Sequence, residues 1–100
     1  MNFDVAASSN DLICSTATLF GVLASPLRLQ IISCLTDSER NVGELLTLIA
    51  TTRPNMSNHL KTLYKAGIVD KRRVGAQIYY HLADPHLGLT LFSLSRTLGK

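Results

Sequence analysis

The stretch from Arg53 to Leu82, RPNMSNHLKTLYKAGIVDKRRVGAQIYYHL, carries the residues whose types and spacing suit a chemical task. An arginine fork can donate to guanine O6 and N7, and a carboxamide matches adenine N6 and N7. Arg53, Asn55 and Asn58 supply these groups at the head of one amphipathic segment. Ser57 and His59 flank them and suit phosphate oxygens. Lys61, Thr62 and Lys65 continue the polar side, while Met56, Leu60, Leu63 and Tyr64 gather on the other at 100° per residue. Lys71, Arg72 and Arg73 follow at once, and Gln77 stands just past a glycine, in reach of a nucleic-acid backbone or minor groove. This is the equipment for gripping a duplex with one helix in the major groove and a basic hairpin beside it. The free N–H groups and dipole of the helix N-terminus would favour a phosphate there.

Charge placement agrees. From Arg53 to Arg73 there are six basic residues and one acid, Asp70, so the segment is +5 and the rest of the chain −2. A basic segment on a slightly acidic body is the electrostatic footprint of a polyanion binder. A solvated surface explains a charge run, and a surface arginine explains Arg53 taken alone. A histidine bonded to a neighbouring helix explains His59 equally well. It is the combination that points to DNA.

The elements that must position these groups can be read from caps and periodicity. Leu12, Leu19, Phe20 and Leu23 share a face of a first helix from about Asn10 to Leu23. Ser25 caps a second helix with Pro26 at its first position, where the missing N–H costs nothing. Leu27, Ile31, Cys34 and Leu35 share its face, and it should end between Asp37 and Arg40. A short third helix runs from Val42 to Ile49. Thr52 caps a fourth that runs to about Ala66, where Gly67 supplies a left-handed stop. Two helices across a tight turn, the second polar outside, form a helix-turn-helix. Ile68–Arg73 and Gln77–Leu82 read as strands around a Gly75 turn. Asp84 caps a last helix whose leucines 87, 91, 94 and 98 have the 4, 3, 4 spacing of a coiled-coil seam. Packing on the chain's own body would use the same seam, but a body this small favours a dimer contact.

The expected fold is thus mainly α with a β-hairpin wing: a dimeric winged helix-turn-helix of about five helices and two strands. Residues 1–9 read as a flexible start and 10–100 as the domain, with dimerisation helices at both ends. One hundred residues make one domain. No run approaches 18 apolar residues, and the N-terminus lacks a basic-then-apolar leader, so no membrane partner is expected and the cytoplasm is the expected location. The three histidines, His59, His81 and His86, sit in no motif with a nucleophile, and no enzyme is expected. Two cysteines, Cys14 and Cys34, are too few for a disulfide scaffold and lack zinc-motif spacing.

The blocks ASPLRLQIISCL, VGELLTLI, PNMSNHLKTLYKAGIV and RRVGAQIYYHLADPH resemble, in order, those of the ArsR/SmtB family of winged-helix repressors, over roughly residues 17–95. The resemblance implies a homodimer built from the first and last helices, here Leu12, Leu19, Leu87, Leu91, Leu94 and Leu98. It implies a repressor on a roughly palindromic operator, released by an inducer or by oxidation. The metal-sensing members carry a Cys-x-Cys at the third helix, where this chain has NVGELL. Others carry Asp-x-His with later ligands on the last helix, where Asp84 and His86 are followed only by Thr97 and Lys100. No metal and no cofactor is therefore expected. A thiol-responsive branch uses one cysteine near the end of the second helix and one on the last. Cys34 is near the first of these; its partner would have to be Cys14, which is a departure. Redox or reactive-sulfur sensing at Cys14 and Cys34, trivalent arsenic on the same thiols, and a protein-interaction winged helix remain open as alternatives. Cys34 in its apolar stripe also fits a small buried hydrophobe.

Overall fold

Local capping chemistry cuts the chain into its helices. The computed structural model describes the backbone of residues 5–99 and the side chains of residues 14–97. Helix α1 runs Val5–Leu23 and helix α2 runs Pro26–Leu35. Ser25 Oγ accepts the N–H of Arg28 at 3.3 Å, so α2 begins where its cap and proline require. Asn41 and Glu44 form a reciprocal capping box, at 2.8 and 2.9 Å, that opens helix α3, Val42–Leu48. Thr52 Oγ1 accepts the N–H of Asn55 at 3.2 Å and starts helix α4, Arg53–Lys65. At its end Gly67 takes φ +76°, while Ile68 N–H donates to Leu63 and Gly67 N–H to Tyr64, both at 3.0 Å. That is a Schellman stop, and it sends the chain directly into a strand.

Three strands form one antiparallel sheet in the order β1-β3-β2. Strand β2, Val69–Val74, and strand β3, Gln77–Leu82, make the hairpin, paired from Val69–Leu82 to Val74–Gln77. Gly75, with φ +62°, fills the first of two loop positions, as a type II′ turn requires. The short strand β1, Arg40–Asn41, pairs with Tyr80 and Tyr79 of β3. Helix α5, Leu87–Gly99, closes the fold.

The core lies where α2, α3, α4 and the base of the sheet meet. Ile31, Ile32 and Leu35 pack with Leu45, with Met56, Leu60 and Leu63, and with Ile68, Val69 and Leu82. Met56, Leu60 and Leu63 are wholly removed from solvent, so the inner face of α4 is anchored.

Four expectations need correction. Strand β1 was not foreseen: two residues carry no periodicity, and its pairing is made some 40 positions away, with Tyr79 and Tyr80. Helix α1 begins at Val5, so Val5–Ser9 of the expected flexible start are helical, while residues 1–4 lie outside the described residues. Helix α2 stops at Leu35, two residues short of the expected range. Tyr64, expected on the buried face of α4, is 42% exposed.

Leu60→Ala should cost about 2–5 kcal/mol of unfolding free energy, because it removes a fully buried side chain from a close-packed core. Urea denaturation measures this. A loss below about 1 kcal/mol would show that the α4 face is not the keystone of the core.

Candidate nucleic-acid interface

Helices α3 and α4 are joined by the four residues Ile49–Thr52, which makes the helix-turn-helix. With its inner face buried, α4 turns Arg53, Asn55, Ser57, Asn58, Lys61 and Lys65 to solvent. Asn55 Nδ2 donates to Thr51 Oγ1 at 2.8 Å, which holds its carboxamide at the helix entrance. Thr62 is half-buried and its hydroxyl donates to the carbonyl of Asn58 at 3.1 Å, within its own helix.

His59 is also tied inward. It is half-buried, and its Nδ1 accepts from Arg28 Nε at 3.1 Å. Arg28 Nη1 donates in turn to the carbonyl of Val22 at 2.9 Å. The pair ties α4 to the corner between α1 and α2, and an accepting Nδ1 leaves the ring proton on Nε2. The neighbouring-helix alternative for His59 is the one realised.

Each cation of the wing has an internal partner. Lys71 Nζ lies 4.3 Å from the centroid of the Tyr64 ring. This explains the exposure of Tyr64, because its face is used by a cation from the next strand. Arg72 Nε donates to both carboxylate oxygens of Glu39 at 3.1 and 2.9 Å, and Arg72 Nη2 also donates to Oε1. The hydrogen bonds from Arg72 hold the Glu39 carboxyl below its ordinary range, and the carboxylate raises the arginine in return. Arg73 Nε donates to the carbonyl of Gly75 at 3.1 Å, across the turn. Lys71 and Arg73 therefore share one face of β2, and Arg72 takes the other.

Arg53 and Gln77 come together. Both line one open groove of about 600 Å³ between the head of α4 and the wing tip, with Asn41, Gly43, Glu44 and Tyr80 among its walls. The head of the helix and the tip of the hairpin thus face one shared space.

The leucine seam divides. Leu87 and Leu91 are half-buried against the chain's own core, whereas Leu94 is exposed. The more exposed apolar side chains of α5 are Leu89 and Phe92, which the seam spacing did not select. On α1, Leu19 and Phe20 are exposed and Leu23 is buried. The side chains of Leu12 and Leu98 lie outside the described residues.

The two thiols stand apart. Cys34 is half-buried in the last turn of α2, and burial pushes its thiol up, offset in part by Arg40. Cys14 is exposed and lines a shallow groove with Thr18, Leu19, Val22 and Ala66. The α1 segment from Cys14 meets α2 at a bend of 85°. At about 1.5 Å per residue the two arms are roughly 13 and 12 Å long, which puts the Cα atoms on the order of 18 Å apart. A disulfide needs them within about 7 Å. At about 18 Å the pair stands well beyond bridging distance within one chain.

Asp84 Oδ1 accepts the N–H of His86 at 2.9 Å, the turn that leads into α5, and lies 3.3 Å from His86 Nδ1. Among the described residues no three potential metal ligands converge, and no single helix is long and apolar enough to cross a membrane.

A helix-turn-helix with a basic β-hairpin directly after its second helix defines a winged helix-turn-helix domain. Residues 25–71 match the model of the bacterial regulatory protein, arsR family. The chain is 37% identical over 82 residues to the HTH-type transcriptional repressor SmtB of Mycobacterium tuberculosis, covering 82% of this chain and 61% of that protein. The chain therefore spans only about three fifths of that curated relative, 61% of its length. Among solved structures it is similar to M. tuberculosis Rv0081, with TM-score 0.81, 34% identity and coverage of 88% and 89% of the two chains. It is also similar to the homodimeric winged helix-turn-helix DNA-binding domain of Mb0332 from Mycobacterium bovis, with TM-score 0.76, 29% identity and coverage of 99% and 87%. The chain belongs to the ArsR family.

Sequence reasoning missed Arg28, Glu39, Arg40 and Tyr64. Arg28 meets a residue 31 positions away and Glu39 one 33 positions away, separations that carry no local signal.

Cys34 should be alkylated more slowly in the folded protein than in the urea-unfolded chain at neutral pH, because burial disfavours its thiolate. Mass-resolved labelling reads this site by site. Equal rates would contradict the burial.

Proposed function

We propose that this chain is a sequence-specific transcriptional repressor of the cytoplasm that binds double-stranded operator DNA as a homodimer. One observation carries the reading: α4 is locked by a fully buried inner face, and its exposed head shares a groove with the wing tip. Arg53, Asn55 and Asn58 are the base-reading candidates, with Ser57, Lys61 and Lys65 along the phosphates. On the wing, Lys71 and Arg73 face the backbone or the minor groove, and Gln77 lines the groove from the wing tip. A protein-interaction winged helix would have no use for this cationic face.

Two features support the homodimer. The radius of gyration is 15.4 Å, against about 12.7 Å for a compact chain of this length. The terminal helices thus extend from the body, and both expose large apolar side chains: Leu19 and Phe20 on α1, Leu89, Phe92 and Leu94 on α5. The related Mb0332 domain is homodimeric. Two-fold symmetry would place two α4 helices about 34 Å apart, which calls for a palindromic operator.

An inducing signal releases the DNA. A separation on the order of 18 Å between the two Cα atoms disfavours an intrachain Cys14–Cys34 link and a two-thiolate arsenic site within one chain. A thiol signal would act on exposed Cys14 alone or by joining Cys14 and Cys34 of different protomers.

Fluorescence anisotropy on promoter fragments tests the reading. With roughly four to six phosphates neutralised, affinity should fall about 10²–10³-fold between 50 and 200 mM salt. Salt-independent binding would contradict the groove-and-wing arrangement. Arg53→Ala should relax preference at one base pair, costing about 1–3 kcal/mol there, with other positions unchanged. A uniform loss over all sequences would instead make Arg53 a phosphate contact.

A further inference from the structure

The Glu39–Arg72 pair joins outer strand β2 to the residue just before outer strand β1, across the middle strand. The strand order is β1-β3-β2, so β1 and β2 are not neighbours and lie about 10 Å apart, two strand spacings. Arg40 pairs with Tyr80, so Glu39 stands beside His81, and Arg72 pairs with Tyr79. The pleat puts Glu39, Arg72, Tyr79 and His81 on one face. The guanidinium and carboxylate therefore meet above β3, with two hydrogen bonds from Nε at 3.1 and 2.9 Å and a further one from Nη2.

Glu39 is itself held. Arg40 Nε donates to the carbonyl of Cys34 at 2.8 Å, and the Thr36 hydroxyl donates to the carbonyl of Ile32 at 2.8 Å. The segment between α2 and β1 is thus fastened to the end of α2. Beyond β1, Asn41 is already the cap of α3. One end of the clasp belongs to the helix-turn-helix body and the other to the hairpin.

We propose that Glu39 is a positioning residue for DNA binding, fixing the wing against the helix-turn-helix through Arg72, and that Arg72 is a brace of the wing rather than a phosphate clamp. This rests on the DNA-binding reading above and sharpens it, because it assigns phosphate contact in the wing to Lys71 and Arg73 on the opposite face. A clasp that touched DNA would lose its geometry to the competing phosphate. A clasp on the far face keeps it, and the angle between wing and α4 is set before DNA arrives.

Charge reversal separates the two roles. Glu39→Gln should weaken operator binding about two- to fivefold, the scale of one exposed ion pair, with no change in the slope of affinity against salt. Arg72→Glu should weaken it further. The double variant Glu39→Arg/Arg72→Glu should recover binding to near wild type, since it rebuilds the clasp with its charges exchanged. Hydrogen exchange of the Tyr79 and Tyr80 amides, read without DNA, should quicken in each single variant and slow again in the double. If the double variant binds as poorly as Arg72→Glu, and the salt slope falls by about one phosphate, Arg72 touches DNA and the proposal is overturned. Unchanged exchange in Glu39→Gln would also overturn it. Should the wild-type protein bind no promoter fragment, the DNA-binding reading fails, while the exchange measurement still decides whether the clasp braces the wing.

Discussion

Burial of one face of α4 is the constraint from which the rest of the structure follows. Met56, Leu60 and Leu63 are spaced so that a helix must place them together, and α2, α3 and the base of the sheet supply the apolar surface that receives them. Once that face is committed, the other has one direction left. Arg53, Asn55, Asn58, Lys61 and Lys65 point to solvent because the helix cannot rotate without exposing its leucines. A helix that reads base edges, as proposed for α4, needs rigidity more than affinity. Side chains that reach base edges must arrive in register, and a close-packed helix holds register far better than a loop would.

Around that helix the polar residues divide into those that hold the fold and those left free. Arg28 and His59 hold α4 to the corner between α1 and α2, and Arg72 with Glu39 spans the sheet. Lys71 rests on the ring of Tyr64, joining the end of the helix to the strand that follows it. A formal count of positive charges overstates what a duplex would meet, since Arg72 is already engaged by Glu39. The groups left for a duplex are at the head of α4, along its outer face, and on the wing at Lys71, Arg73 and the tip.

What was legible in the sequence follows from how locally each feature is determined. Ser25 with Pro26, Thr52, Gly67 and Gly75 act on their own neighbours, and each start, stop and turn falls where these residues require it. The polar face of α4 was legible for the same reason, as a matter of spacing within thirteen residues. Features made by distant partners were not. Strand β1 exists because β3 offers it an edge, and nothing in Arg40 and Asn41 announces it. His59 flanks the outer face by angle, and its bond from Arg28 depends on a residue 31 positions away. Tyr64 falls on the inner side of α4 by helical angle, whereas its ring serves a lysine. The leucine seam of α5 mixed two uses, since the same spacing packs inward at Leu87 and Leu91 and leaves Leu94 outside.

The central claim is that the exposed face of α4 and the wing tip form one DNA-reading surface. The most direct test is an amide chemical-shift titration of the labelled protein with a duplex containing its operator. Shifts are expected from Arg53 to Lys65 and around Val74–Gln77, with the α2 amides little affected. Shifts centred on α2 and α5, with α4 unmoved, would contradict it.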